Sequence, residues 1–267
     1  MAAFLEGFED GQRLVEGARL LLQAGKPLVL LKSGRTQLGQ QAAATHTGAL
    51  AGSDRVFASI CRQFGVILVE DVHALVNTVC LFSSFGSQLG PDLRLAVVTQ
   101  SGGLGSFTAD LCAQNGIALP PLGGSLQRRL QAMPHLLSFG ELGNPADVRG
   151  AGVTGSKVGL TLAPFLEDPG FDLVLVLLAR QMDRAEDQET ASTIAALTRR
   201  YQKPLAAVWV GGRKPAQAGV SPADQIMLEA GVPVFEQPSD CIQAVGRISR
   251  YLRFRQTWLS DTENPYA

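Results

Sequence analysis

Residues 94–115, RLAVVTQSGGLGSFTADLCAQN, decide the fold, because an apolar run, a Gly-rich turn and a helix-length segment follow one another there. The run Arg94–Thr99 does not alternate polar with apolar residues, which is typical of a parallel strand buried on both faces. The glycines after it favour a tight turn. The stretch therefore predicts one strand–turn–helix step of an α/β fold.

The same kind of apolar run recurs along the whole chain, bounded by Gly or by Lys-Pro. Helical patterns with one apolar face lie between the runs, at Gly11–Leu22 and Glu189–Tyr201. Strands that alternate with such helices predict parallel sheets with helices on both faces. The further predicted strands are Ala2–Glu6, Pro27–Leu31, Val66–Val69, Leu173–Leu178, Leu205–Val210 and Val232–Phe235.

A weak internal repeat divides the chain into two related halves. Lys26-Pro27 precedes a strand that ends in Ser-Gly-Arg, and Lys203-Pro204 precedes a strand that ends in Gly-Gly-Arg. Gly65-Val66 and Gly231-Val232 then open the next strand of each copy. The first copy carries an insertion after its Lys-Pro strand, and it lacks the strand–turn–helix step that precedes the second. We therefore expect the first unit to be incomplete at its N-terminal side.

The Ser-, Gly- and Pro-rich stretch at 84–92 marks the boundary between the halves. We predict a partial first domain at 1–88, a second domain at 93–255 and a polar tail at 256–267.

Composition excludes several classes of protein. The 267 residues are 46% hydrophobic with a formal net charge of -1, so neither a disordered chain nor a binder of nucleic acid or anionic membrane is expected. The longest apolar stretch, Leu173–Ala179, is too short to span a bilayer. The four cysteines are scattered without metal-ligand spacing, which favours reduced thiols, no metal site and a cytoplasmic location.

The inserted segment, KSGRTQLGQQAAATHTGALAGSD at 32–54, is the first candidate site. It reads as a loop of small residues whose N–H groups could approach a phosphate. His46 in this loop is a candidate nucleophile, since neutral imidazole attacks phosphorus near pH 7. Lys32 and Arg35 are candidate donors to phosphate oxygens. The alternative is an ordinary loop with a solvent-facing histidine.

Two further features are candidates. Ser101, Gly102, Gly103 and Gly105 lie where a strand turns into a helix, and a helix start favours anions. Such turns are common and often have no ligand. Glu6 follows the first strand, at the edge where parallel sheets place ligands, so it either orients His46 or is a solvated terminal residue.

These residues resemble a known family. The run KPLVLLKSGRTQLGQQAAATHTGALAGSD with CRQFGVILVED after it is similar to the ligase domain of NDP-forming acyl-CoA synthetases, which are relatives of succinyl-CoA synthetase. The segments LAVVTQSGGLGSFTADL, GNPADV and PLAAVWVGG resemble the next, flavodoxin-like domain of that family. The resemblance implies an α/β protein of two flavodoxin-like parallel-sheet units with helices on both faces, the first incomplete.

The resemblance also implies a phosphoryl relay. An acyl-CoA and phosphate give an acyl phosphate, His46 takes its phosphoryl group, and an ATP-grasp domain receives that group to convert ADP into ATP. By the same match Glu6 orients the histidine. The residues implied to hold the phosphoryl group are Gly48, Ser101, Gly102, Gly103 and Gly105.

Parts that the family normally carries are not recognisable in this sequence, namely the CoA-binding Rossmann domain, the first half of the ligase domain and the ATP-grasp domain. We therefore expect the chain to bind no cofactor alone, while CoA, ATP or ADP and Mg²⁺ are implied for the whole enzyme. Separate CoA-binding and ATP-grasp domains or subunits are the expected partners, and the chain is expected to be inactive without them.

Two alternatives stay open. One is a regulatory or interaction module derived from such a synthetase. The other is a half-domain whose exposed sheet edge pairs with another chain, including a second copy of itself. The acyl substrate and the choice between ADP and GDP cannot be read from this sequence.

Overall fold

A computed structural model describes residues 1–7, 11–47, 53–136, 142–148, 153–180, 184–211 and 220–261. The chain forms two compact units. Unit 1 comprises Met1–Phe82 together with Arg247–Ala267, and unit 2 comprises Ser83–Gly246.

Unit 1 is built on a three-stranded parallel sheet of order β1-β2-β3. Its elements are β1 (Ala2–Leu5), α1 (Gly11–Gln23), β2 (Val29–Lys32), α2 (Gln37–Thr47), α3 (Asp54–Gln63), β3 (Ile67–Val69) and the start of α4 (Val72–Phe85).

The two faces of this sheet bury separate apolar clusters. Leu28 and Leu30 pack with Ala18 of α1 and Phe57 of α3 on one face. The other face of the sheet packs with Leu22, Tyr251 and Trp258. Because every residue of β2 is buried, the strand needs the apolar run that the sequence supplies.

Unit 2 holds a five-stranded parallel sheet of order β5-β4-β6-β7-β8. Its elements are β4 (Leu95–Thr99), α5 (Gly102–Asn115), α6 (Gly124–Gln131), β5 (Ala146–Asp147), α7 (Lys157–Glu167), β6 (Leu173–Ala179), α8 (Arg184–Tyr201), β7 (Leu205–Val210), α9 (Pro222–Glu229), β8 (Val234–Phe235) and α10 (Pro238–Ser260), which ends in unit 1.

This strand order is the flavodoxin-like one, in which the first strand of the unit has neighbours on both sides. A large core lies on one face of the sheet and includes Phe165 and Trp209, both almost fully buried. Burial of such large side chains contributes roughly 1.5–3 kcal/mol each. Caps set the helix bounds: Ser101 begins α5, and Gly116, with φ of 66°, ends it.

The predicted fold class is confirmed: an α/β protein with two parallel sheets. The internal repeat is also visible in the topology, since β1-β2-β3 and β6-β7-β8 follow the same order in chain and in sheet. Each predicted strand is observed within two residues of its predicted bounds, whereas the short strand β5 was not predicted. The described residues include no helix that is long and apolar enough to cross a membrane.

Two local expectations were wrong. The segment after β2 was predicted as a loop, yet Gln37–Thr47 forms a helix, because its Gln and Ala residues are good helix formers. The chain after 255 was predicted as a tail, yet α10 continues to Ser260, because Trp258 is buried in the core of unit 1. The end of α10 belongs to unit 1, from Arg247 onward. The predicted second domain, in contrast, extended to residue 255.

Candidate functional site

The candidate site begins at the carboxyl edge of the sheet in unit 1. The three strands are parallel, so they end at the same edge, and Glu6, Ser33 and Glu70 follow them directly. The Ser33 N–H donates to the Leu5 carbonyl at 3.0 Å, which extends the β1–β2 pairing by one residue. This edge is where open parallel sheets bind ligands.

A tight turn brings the end of β1 to the start of α2. Gly34 has φ of 65°, a conformation that favours glycine. A Cβ on Gly34 would lie 3.6 Å from the Glu6 carbonyl oxygen and 3.5 Å from the Ala43 Cβ. A Cβ on Gly39 would lie 3.2 Å from the Gly34 Cα. The backbone at Glu6 and helix α2 therefore meet at a point that has room only for small residues.

His46 lies in the last turn of α2, three residues after Ala43. The Thr36 side chain caps this helix by accepting from the Gly39 N–H at 3.2 Å. The structure thus places His46 on a helix whose other end packs against the turn after β2. The predicted phosphate ligand Gly48 lies outside the described residues.

Lys32, a predicted phosphate donor, has a different environment. It is 4% exposed, and its ammonium donates to the Ser33 carbonyl at 2.8 Å and lies 5.6 Å from the centroid of the Phe57 ring. Burial lowers the pKa of this lysine, although the nearby Asp54 carboxylate acts in the opposite direction. The ammonium of Lys32 thus contacts protein groups near the carboxyl end of β2.

Arg35, the other predicted donor, is paired with Asp54 at the start of α3. Its Nε donates to Asp54 Oδ1 at 2.8 Å and its Nη2 donates to Oδ2 at 3.2 Å. This is the bidentate geometry in which a guanidinium matches a carboxylate. The hydrogen bonding of Arg35 to the Asp54 carboxylate raises the pKa of Arg35. Sequence reasoning missed the pair, although an acid directly after Ser53 is a recognisable helix-start signal.

A second arginine reaches this edge from α10. Arg247 is buried, and its Nη2 donates to Glu70 Oε2 at 2.6 Å. Burial and the neighbouring arginines lower the pKa of Arg250, one turn further along the helix. The pattern of the sequence gave no signal for this contact, since Glu70 and Arg247 are far apart in the chain.

The predicted phosphate turn of unit 2 has the expected strand-to-helix geometry. The Ser101 hydroxyl oxygen accepts from the Leu104 N–H at 3.4 Å and so caps α5. A Cβ on Gly105 would lie 3.2 Å from Thr99 Cγ2 and 3.4 Å from Pro145 Cβ. Close packing at this position therefore favours glycine. A Cβ on Gly103 would meet nothing within 4 Å. Gly103 is therefore the most open point of the turn.

The Gly-Asn-Pro-Ala-Asp motif supports this turn. The Asn144 amide accepts from the Val97 N–H at 2.9 Å and donates to the Leu95 carbonyl at 2.7 Å, so it pairs with β4 as a strand would. Asp147 then places a carboxylate oxygen 2.9 Å from where a Cβ on Gly102 would lie. A negative side chain thus already lies beside the start of α5.

Unit 2 also contains an ion pair that the sequence did not suggest. Arg180, directly after β6, donates to Asp224 Oδ1 at 2.5 Å, and its guanidinium lies 4.7 Å from the centroid of the Trp209 ring. The two charged side chains are only 11% and 12% exposed.

The structure brings some of the predicted site residues together. The Glu6 carbonyl and Ala43 of α2 both lie near Gly34 in unit 1, and Ser101, Gly102, Gly103 and Gly105 form one turn in unit 2. Within the described ranges, no group of three or more His, Cys, Asp or Glu residues is placed to hold a metal ion.

Comparison with known families and curated proteins supports the resemblance. Residues 1–82 match the family described as the succinyl-CoA ligase like flavodoxin domain. The chain is 30% identical over 250 residues to ADP-forming acetate–CoA ligase I of Archaeoglobus fulgidus, covering 93% of this chain and 33% of that protein. It is 28% identical to the alpha subunit of ADP-forming acetate–CoA ligase II of Pyrococcus furiosus, covering 91% of this chain and 51% of the subunit.

A solved structure agrees with these relatives. The dinucleotide-forming acetyl-coenzyme A synthetase 1 of Candidatus Korarchaeum cryptofilum, in complex with phosphate and ADP, matches with a TM-score of 0.79 and 25% identity. The match covers 98% of this chain and 55% of that one. The chain thus spans a third to about half of the length of these relatives. The predicted resemblance to ADP-forming acyl-CoA synthetases is confirmed.

Proposed function

We propose that this chain is the phosphohistidine-bearing component of an NDP-forming acyl-CoA synthetase. The whole reaction is acyl-CoA + NDP + phosphate ⇌ carboxylic acid + CoA + NTP. The observation that carries the proposal is the similarity, over nearly the whole chain, to proteins named as ADP-forming acetate–CoA ligases, one of them an alpha subunit.

In the proposed relay, a phosphate oxygen first attacks the thioester carbon, the C–S bond breaks and CoA leaves as a thiolate. A ring nitrogen of His46 then attacks the phosphorus of the acyl phosphate. The P–O bond to the acyl oxygen breaks, and the carboxylate leaves. Finally an oxygen of the nucleoside diphosphate attacks the phosphohistidine, and the N–P bond breaks.

Glu6 is the proposed orienting carboxylate for His46. A carboxylate that accepts the N–H of one ring nitrogen fixes the tautomer and leaves the other nitrogen free to attack. The support is positional: Glu6 follows β1 directly, and its backbone meets the turn against which α2 packs.

The turn at the start of α5 is the proposed phosphate cradle of unit 2. Positioning and electrostatic stabilisation dominate phosphoryl transfer, and a helix start supplies N–H groups and a positive dipole end. Gly103 supports this role because nothing obstructs approach to it. Gly48, Ser101, Gly102 and Gly105 stay in the proposal as predicted from the sequence.

The remaining parts of the reaction fall to proposed partners. CoA-binding and ATP-grasp domains or subunits would bind CoA, the nucleotide and Mg²⁺. The described residues offer no acidic cluster of their own for a metal. Because these steps are assigned to partners, we expect the chain alone to be inactive in the full reaction.

The test is the overall reaction reconstituted from the full chain and CoA-binding and ATP-grasp components of the same source. Acetyl-CoA, ADP, Mg²⁺ and phosphate are supplied, and ATP formation is followed. We expect activity that needs every component and is abolished by His46→Ala, because the relay has no other acceptor. Glu6→Gln is expected to lower the rate roughly 10–100-fold, since an orienting hydrogen bond is weakened but the nucleophile remains.

His73→Ala is the matched control, since His73 is an exposed histidine of α4 in the same unit. Full activity is expected for it. Activity in His46→Ala equal to that of the wild type would contradict the proposal. A wild type that is folded and inactive with every component would instead favour the regulatory alternative.

A further inference from the structure

An ion pair between Arg35 and Asp54 flanks helix α2, which carries His46. These residues are 19 positions apart, one directly before α2 and the other the first residue of α3. Their two hydrogen bonds are 2.8 and 3.2 Å long. The pair therefore joins the region just before α2 to the first residue of α3.

The residues beside each end of this ion pair are packed in unit 1. Arg35 follows Gly34, whose backbone packs closely on Gly39 and Ala43. Asp54 begins α3, a helix anchored by the buried side chains of Phe57 and Cys61. An ion pair between two fixed points can hold a segment in place, whereas a pair between two mobile side chains cannot.

We propose that Arg35 and Asp54 are positioning residues whose bidentate ion pair is a clamp that holds α2, the helix that carries His46, in place for phosphoryl transfer. This inference rests on the proposed function for its catalytic consequence. The clamp itself is a statement about the geometry of unit 1, and it can be measured separately.

The rival role is the one that the sequence suggested, in which Arg35 binds a phosphate oxygen. The two roles differ in what Asp54→Asn does. If Arg35 is a phosphate ligand, loss of the competing carboxylate leaves the guanidinium freer, so transfer to His46 is unchanged or faster. If the pair is a clamp, the same substitution loosens the segment, so transfer is slower.

Arg35→Lys adds a second distinction. Lysine keeps the positive charge, but it lacks the planar fork that bonds both carboxylate oxygens at once. A clamp is therefore weakened by this substitution, whereas an attraction that depends on charge alone is largely kept.

The first readout is amide hydrogen exchange of residues 37–47 in the full chain. We expect Arg35→Lys and Asp54→Asn each to speed this exchange by roughly twofold to fivefold, the range that a partly exposed ion pair supports. The exchanged pair Arg35→Asp with Asp54→Arg is expected to slow it again. Arg129→Ala is the matched control, because it removes an exposed Arg–Glu pair of unit 2.

The second readout is the rate at which acetyl phosphate phosphorylates His46 in the same variants. We expect a decrease for both single variants at an unchanged KM for acetyl phosphate, with recovery in the exchanged pair. Unchanged exchange in both single variants would overturn the clamp. So would unchanged or faster phosphorylation of Asp54→Asn in a preparation where the wild type is phosphorylated.

The two proposals fail in different ways. If the wild type takes up no phosphoryl group, the proposed function fails, and the exchange measurement alone decides whether the pair clamps the segment. If the wild type is phosphorylated and the variants match it in both readouts, the function stands and the clamp is wrong.

Discussion

The two units contain the same kind of Arg–Asp ion pair, but the two pairs differ in their exposure to solvent. In each, an acid in the first turn of a helix pairs with an arginine that follows a parallel strand: Asp54 with Arg35 in unit 1, and Asp224 with Arg180 in unit 2. The pair of unit 1 is 37% and 27% exposed, and that of unit 2 is 11% and 12% exposed.

This difference in burial means that the two pairs should differ in how much they affect the free energy of unfolding. Removal of one partner of a buried pair is strongly destabilising, since the remaining charge loses that partner in a medium of low dielectric. An exposed pair contributes little to the free energy of unfolding. The pair of unit 2 is therefore shielded from solvent, whereas solvent reaches the pair of unit 1.

The largest expected effect is on the buried pair. Arg180→Ala leaves Asp224 buried without its guanidinium, so we expect a loss of about 3–5 kcal/mol in the free energy of unfolding. Urea denaturation followed by circular dichroism measures this. Arg180→Met combined with Asp224→Leu is the control and should recover most of the loss, since both charges are then gone. A loss below about 1 kcal/mol in Arg180→Ala would remove the contrast between the units.

The turn of unit 2 provides the next effect. Gly105→Ala brings a methyl group against Thr99 and Pro145, whereas Gly103→Ala points into open space. Both gain the same helix propensity, so we expect Gly105→Ala to be about 1–3 kcal/mol less stable than Gly103→Ala. Comparison of their urea midpoints tests this, and equal midpoints would show that the edge of unit 2 is less closely packed than described.

A smaller effect is expected for the exposed pair. Arg35→Ala should lower the free energy of unfolding by about 0.2–1 kcal/mol, because solvent already screens this ion pair. The same urea experiment applies. A loss as large as that of Arg180→Ala would mean that the two pairs have the same structural role.

The smallest effect concerns Lys32, whose pKa is lowered chiefly by burial. Between its folded pKa and the unfolded value of 10.5, the unfolded chain binds more protons, so this lysine makes stability rise with pH there. Lys32→Met lacks that contribution. We expect the stability difference between variant and wild type to shift in favour of the wild type as pH rises through this range. A difference that does not depend on pH would contradict the buried position of the ammonium.

The sequence predicted the sheets better than the contacts at their edges. Strands such as Leu173–Ala179 are buried on both sides and apolar throughout, so composition alone reveals them. The repeat of Lys-Pro and Gly-Val indicated that β1-β2-β3 and β6-β7-β8 are equivalent parts of two related sheets.

The edge contacts depend on tertiary geometry and were missed for that reason. Arg180 and Asp224 are 44 positions apart, and no local pattern joins them. The helix at Gln37–Thr47 was missed because glycines near it favoured a loop, while its Ala and Gln residues decided otherwise. Lys32 was predicted at a phosphate, but its position at the end of a fully buried strand puts its ammonium beside Phe57.

The most direct test of the central claim is site-mapped phosphorylation of the full chain by acetyl phosphate, with CoA-binding and ATP-grasp components of the same source present, read by mass spectrometry at neutral pH. We predict an acid-labile phosphoryl group on the peptide that contains His46, absent in His46→Ala and retained in His73→Ala. A phosphoryl group that maps elsewhere, or that persists in His46→Ala, would contradict the assignment of the chemistry to unit 1.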